Sequence, residues 1–90
     1  MVIIRIEQLT SGESTEFDGQ YVVDYNPARI GVSPSGLRMI CYLKCTPDKT
    51  QARQFASLRE AVEFYRKSYG LRPDGQPNRP LTAYTVTFES

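Results

Sequence analysis

Apolar and polar positions partly alternate from Val2 to Leu9 (VIIRIEQL), with Ile4 and Ile6 toward one face and Arg5 and Glu7 toward the other. That period of two predicts a first β-strand. A polar loop follows at Thr10–Glu16, and Asp18-Gly19 marks a tight turn before Gln20–Tyr25, a second predicted strand with Tyr21, Val23 and Tyr25 on a shared face. Asn26-Pro27 breaks the pattern, and the stretch to Gly36 (NPARIGVSPSG) reads as a loop or a pair of turns. Leu37–Cys45 predicts a third strand, with Met39, Cys41, Leu43 and Cys45 on one side and Arg38, Ile40, Tyr42 and Lys44 on the other. Apolar residues on both faces predict a central place for it in the sheet.

Thr46-Pro47-Asp48 ends that strand and predicts a short helical turn through Gln51–Arg53. Ser57-Leu58-Arg59-Glu60 has the spacing of a capping box, in which the serine accepts from an orphan N–H and the glutamate reaches back. From there Leu58, Ala61, Val62, Tyr65 and Tyr69 recur at helical spacing as an apolar stripe, with Phe64 at its edge and Gly70 expected as the left-handed cap. Gly70–Pro80 holds three prolines and two glycines, and no regular element is expected there. Leu81–Phe88 (LTAYTVTF) predicts a last strand with Tyr84, Val86 and Phe88 together. The order β-β-β-α-β predicts one α+β domain, a four-stranded, mostly antiparallel sheet with one helix packed on one face. A lone helix covers only part of a sheet, so a partly apolar open face or edge is expected, and with it a possible homodimer or docked partner.

At 90 residues the chain supports one modest core, and 40% hydrophobic with 23% charged residues is ordinary globular composition. No apolar run is long enough to cross a membrane, so a cytoplasmic protein without a membrane partner is expected. The absence of histidine removes the commonest metal ligand and the commonest general base. Cys41 and Cys45 sit on a predicted strand ~13 Å apart, too far to bridge, and read as buried thiols in a reducing compartment. No metal site and no cofactor are expected.

The net charge is +1, low for a protein that neutralises phosphates, so nucleic acid is an unfavoured partner. Eight of the eleven cations are Arg, whose planar fork suits carboxylate or phosphate. The most singular segment is Arg72-Pro73-Asp74-Gly75-Gln76-Pro77-Asn78-Arg79-Pro80. Prolines that fix backbone angles lower the entropy of holding Arg72, Asp74, Asn78 and Arg79 in one arrangement, which suits recognition. The alternative is a β-turn at Pro73-Asp74-Gly75 that merely returns the chain to its last strand. Asp18, Tyr21 and Tyr25 form a second candidate binding region. Two further readings are a single-stranded nucleic-acid module stacking bases on Tyr21, Tyr42 or Tyr84, and a small enzyme using Asp18 or Asp24 as carboxylates. No phosphate-binding glycine loop, dinucleotide fingerprint or nucleophile elbow occurs, and the chain is expected not to be an enzyme.

Asp18-Gly19-Gln20-Tyr21-Val22 with Tyr25-Asn26-Pro27, then Ala52-Arg53-Gln54-Phe55, and finally Arg72 to Ala83 follow a shared pattern. In these motifs the chain, from Phe17 onward, resembles a group of small bacteriophage and prophage proteins. It departs from their pattern at Asn26, where an acidic residue is expected. The resemblance implies an accessory product acting in the bacterial host cytoplasm, and no defined activity. The leading expectation is a non-enzymatic binding protein whose partner is a host protein or a small anionic ligand.

Overall fold

The computed structural model describes residues 1–90. Six strands, β1 (Ile3–Leu9), β2 (Tyr21–Asn26), β3 (Gly31–Val32), β4 (Arg38–Met39), β5 (Tyr42–Thr46) and β6 (Tyr84–Glu89), accompany one helix, α1 (Leu58–Tyr65). Short 3-10 turns occupy Lys49–Gln51 and Pro80–Ala83. The main sheet has order β5-β2-β1-β6 with every pairing antiparallel, and β3 and β4 form a separate small hairpin. This is the expected α+β class, four strands with one helix.

The alternation of β1 sends Ile4 and Ile6 into the core, both without exposed surface. Each such side chain contributes on the order of 1.5–3 kcal/mol from burial. Opposite them stand Phe88 and Val86 of β6, and α1 crosses this face with Ala61 and Phe64 buried. Phe64 meets Tyr25 and Phe55 at ring separations of 5.8 and 5.0 Å. The Tyr65 hydroxyl donates to the Tyr84 carbonyl at 2.6 Å, fastening the helix to the start of β6. The opposite face is polar. Arg5 lies within ion-pair distance of Glu7 and Glu89, Lys49 also reaches Glu89, and Thr87 donates to Glu7.

Three sequence expectations change. In β2 the register shifts between Val22 and Asp24, a bulge that puts Val22 and Tyr25 into the core at a spacing of three. Tyr21, Val23 and Tyr25 therefore do not share a face, because the extra residue breaks the period of two. The predicted strand Leu37–Cys45 divides at Ile40-Cys41, and its second half, β5, is an edge strand instead of a central one. The division lets β4 turn away to pair with β3.

The helix starts as predicted, with Ser57 Oγ accepting from Glu60 N at 3.2 Å and Glu60 reaching back to Ala56 N at 3.1 Å. It stops early, at the cap residue Arg66, which leaves Tyr69 outside it; Leu58 and Tyr69 are exposed, and Ala61 and Phe64 are the buried residues of the helix. Gly70 does take a left-handed φ of 70°, but within the following loop and not as the helix cap. The proline-rich segment forms no helix or strand before the turn at Pro80, as expected, yet backbone hydrogen bonds tie it across. Leu71 bridges antiparallel to Pro77, Arg72 N donates to Gln76 O (2.8 Å), Tyr69 N to Asn78 O (3.0 Å) and Asn78 N to Gly70 O (3.1 Å). Every donor this ladder needs lies on a residue other than proline, which is why three prolines do not prevent it.

Candidate functional site

The hairpin Tyr69–Asn78 is stiffened at its tip and at its base. At the tip, Gly75 N donates to Arg72 O at 2.9 Å, closing a β-turn with Pro73 in its second position, and Gly75 follows at φ 83°. Proline presets that position and glycine tolerates the positive φ. Asp74 Oδ1 accepts from Gln76 N at 3.0 Å and lies 3.7 Å from Arg72 Nε. At the base, one buried hydroxyl holds both strands of the loop. Tyr25 Oη donates to the Lys67 carbonyl (3.0 Å) and accepts from Leu81 N (3.3 Å). Burial pushes the Tyr25 phenol up to about 12, so it stays protonated and able to donate.

Arg79 precedes the turn Pro80–Ala83, and its Nε donates to the Arg66 carbonyl at the end of α1, 3.2 Å away. A cation suits that negative end of the helix, and the contact orients the guanidinium while leaving its remaining N–H groups free of protein partners. Thr10 N donates to Ala83 O at 2.8 Å, drawing the β1 end alongside. Together Arg72, Asn78, Arg79, Thr82, Thr10 and Ile40 line a concave pocket of about 410 Å³. Two arginines, an asparagine and two threonines are in its lining, and the nearest carboxylate, that of Asp74, lies 3.7 Å from Arg72 Nε. Such a set can hold a carboxylate or phosphate oxygen by charge-assisted hydrogen bonds. The lining holds no carboxylate, histidine or cysteine.

The structure brings together Arg72, Asn78 and Arg79 of the predicted residues, with Asp74 just outside, paired to Arg72. Asp18, Tyr21 and Tyr25 do not join them. Asp18 accepts from Thr15 Oγ1 at 2.8 Å within its turn, and Tyr21 lies half-buried on the sheet opposite Arg5 and Thr46. Tyr25 is 2% exposed and cannot touch a ligand, so its place in the predicted binding set is corrected to that of a support beneath the pocket. Asp24 accepts from Tyr25 N at 2.9 Å and faces Arg53 Nη1 at 3.6 Å. The stacking aromatics do not form a platform either: Tyr84 is buried and Arg29 covers the Tyr42 ring at 4.6 Å. Cys41 and Cys45 are free thiols, and burial pushes Cys45 up to about 12 and Cys41 in the same direction, leaving little thiolate.

Sequence reasoning missed Ile40, Thr10 and Thr82, which come from distant elements. It also missed the distribution of charge. Arg29, Arg38, Lys44, Arg66, Lys67 and Arg79 have no carboxylate within ion-pair distance, whereas the other five cations do. The legible signal was that no acidic residue occurs between Asn26 and Thr46, a stretch that carries three cations. Beyond the hairpin of β3 and β4, a second, more apolar hollow of about 550 Å³ lies among Phe17, Leu37, Met39 and Tyr84. On its rim the hydroxyls of Ser33 and Ser35 hold the Glu16 carboxyl below its usual value. Searches against protein families, curated proteins and solved structures find no match for this chain.

Proposed function

We propose that this chain is a non-enzymatic binding protein of the bacteriophage and prophage accessory kind, acting in the bacterial cytoplasm, that holds an anionic group between Arg72 and Arg79. The observation that carries this reading is the pocket itself, about 410 Å³ in volume, whose lining includes Arg72, Asn78 and Arg79 and no acidic residue. Its support is a loop already ordered before binding, tied by Tyr25 at its base and by the Arg72-to-Gly75 turn at its tip. Preorganisation of this kind reduces the entropy lost on association. Blocking a host factor and sequestering a small anion both use the same contact.

The test is a titration of inorganic phosphate into isotope-labelled protein, followed on the Arg Nε–H resonances. Arg72 and Arg79 are expected to shift, together with the Asn78 amide, and Arg53 and Arg59 are expected to stay put. The double variant Arg72→Ala, Arg79→Ala should show no response while its thermal midpoint stays within a few °C, since both side chains are at the surface. A flat titration of the native chain would overturn the reading.

A further inference from the structure

The hairpin of β3 and β4 inverts the usual pattern of a half-buried sheet. Its inward positions are small or modest: Gly31 and Ser33 are buried, Met39 is half-buried, and Cys41 just beyond is 3% exposed. Its outward positions are large. Ile30, Val32 and Ile40 are 57%, 66% and 77% exposed, and Leu37 at the bend is 68% exposed. Gly31 enforces this orientation, since a Cβ there would lie 2.6 Å from the Cys41 carbonyl oxygen and 2.9 Å from the Tyr42 Cα. Val32 pairs with Arg38, so cationic and aliphatic side chains alternate on the outward surface.

That surface is continuous with the arginine pocket. Ile40 lines both the pocket of Arg72 and Arg79 and a neighbouring hollow of about 440 Å³ bounded by Ile30, Arg38 and Met39. Arg29 and Arg38 on the hairpin, like Arg79 in the pocket that Ile40 shares, lack carboxylate partners, whereas Arg5, Lys49, Arg53, Arg59 and Arg72 each have one. Contiguous exposed aliphatic side chains rimmed by cations mark an interaction surface. We infer that this surface docks an acidic segment of a protein partner, whose aliphatic side chains lie over Ile30, Val32 and Ile40 while one of its carboxylates enters the pocket of Arg72 and Arg79.

The charge complement asked of the partner is negative. The apolar portion is aliphatic, where a nucleic acid would ask for open aromatic faces to stack on. The inference rests on the pocket reading above and specifies its occupant. Arg-rich rims with a desolvated apolar centre are the ordinary make-up of such interfaces.

The test is selection of a random peptide-display library on the full chain. Enriched peptides are expected to combine Asp or Glu with Leu, Ile or Val. The best of them, made as a free labelled peptide, should bind the double variant Ile30→Ser, Val32→Ser, which leaves the pocket lining untouched, at least about tenfold more weakly. That variant should still show the phosphate-induced shifts at Arg72 and Arg79, which establishes that it is folded and that its pocket is intact. Loss of the phosphate response in the native chain would strike the pocket reading. A normal phosphate response overturns the docking inference alone in any of four cases: no enrichment, enrichment without acidic residues, peptide affinity unchanged by Ile30→Ser and Val32→Ser, or a dimer by sedimentation that those substitutions dissolve. Tighter binding to a single-stranded oligonucleotide or to vesicles of anionic lipid than to the selected peptide would reassign the surface and overturn it as well.

Discussion

Around Arg5 the molecule pairs its charges with one another, and around Ile40 it leaves them open. On the outer sheet face Arg5, Glu7, Lys49 and Glu89 form a chain of ion pairs, with Thr87 donating into it. On the hairpin surface Arg29 and Arg38 meet no carboxylate, and aliphatic side chains face water beside them. The first arrangement closes a surface that would otherwise be a sheet face exposed to association. The second costs solvation of apolar groups and gains nothing within the chain, which is what motivates the proposed docking of a partner there. A net charge of +1 conceals this difference, because it sums over both regions.

The largest expected effect comes from forcing the open region to repack. Gly31→Val would drive a side chain into backbone atoms of Cys41 and Tyr42, and the expected destabilisation is about 3 kcal/mol, read by urea denaturation. A neutral outcome would mean that the hairpin is not held against β5, and the inverted pattern would lose its cause.

The next effect concerns what holds the pocket. Tyr25→Phe leaves the Lys67 carbonyl and the Leu81 N–H without their partner, with an expected loss of about 2 kcal/mol. Faster hydrogen exchange at Leu81 and a weakened phosphate response are expected with it. The same group sets an alkaline limit. Burial raises the Tyr25 phenol from 10.0 to about 12 and the Cys45 thiol from 9.0 to about 12. Each then holds a proton in the folded chain that the unfolded chain has released. Their contribution is therefore intact below about pH 9 and falls as the pH climbs toward about 12, and within its window Tyr25 loses about 1.4 kcal/mol per pH unit. Denaturation midpoints at successive alkaline pH values measure this, and Tyr25→Phe should flatten the upper part of the curve.

The smallest effects separate the two regions directly. Glu89→Gln removes the shared partner of Arg5 and Lys49 and should cost about 0.5 kcal/mol, a loss that high salt erases. Arg38→Ala has no intramolecular partner to lose, so its expected change in stability is nil at low and high salt. Equal, salt-sensitive losses in both variants would abolish the distinction between a closed and an open region.

Much of this was legible in local spacing. The alternation of Ile4 and Ile6, the Ser57 cap with Glu60, and the turn chemistry of Pro73-Asp74-Gly75 each follow from residues a few positions apart, because side-chain periodicity, orphan N–H groups and fixed backbone angles act within a turn or a strand. So did the choice of Arg72, Asn78 and Arg79, which the rigid loop carries together. Local spacing did not determine the bulge that turned Tyr25 from a candidate ligand contact into the loop's buried anchor, nor the break at Ile40-Cys41 that made β5 an edge. Those depend on which distant backbone approaches which. Gly31 reads as an ordinary loop glycine until Cys41 is found against it, and Ile40 reads as strand interior until the hairpin turns it outward beside Arg79. The sequence thus determined the elements and the stiff arginine loop, while tertiary contact between segments remote in the chain decided what faces water, and so where a partner can be met.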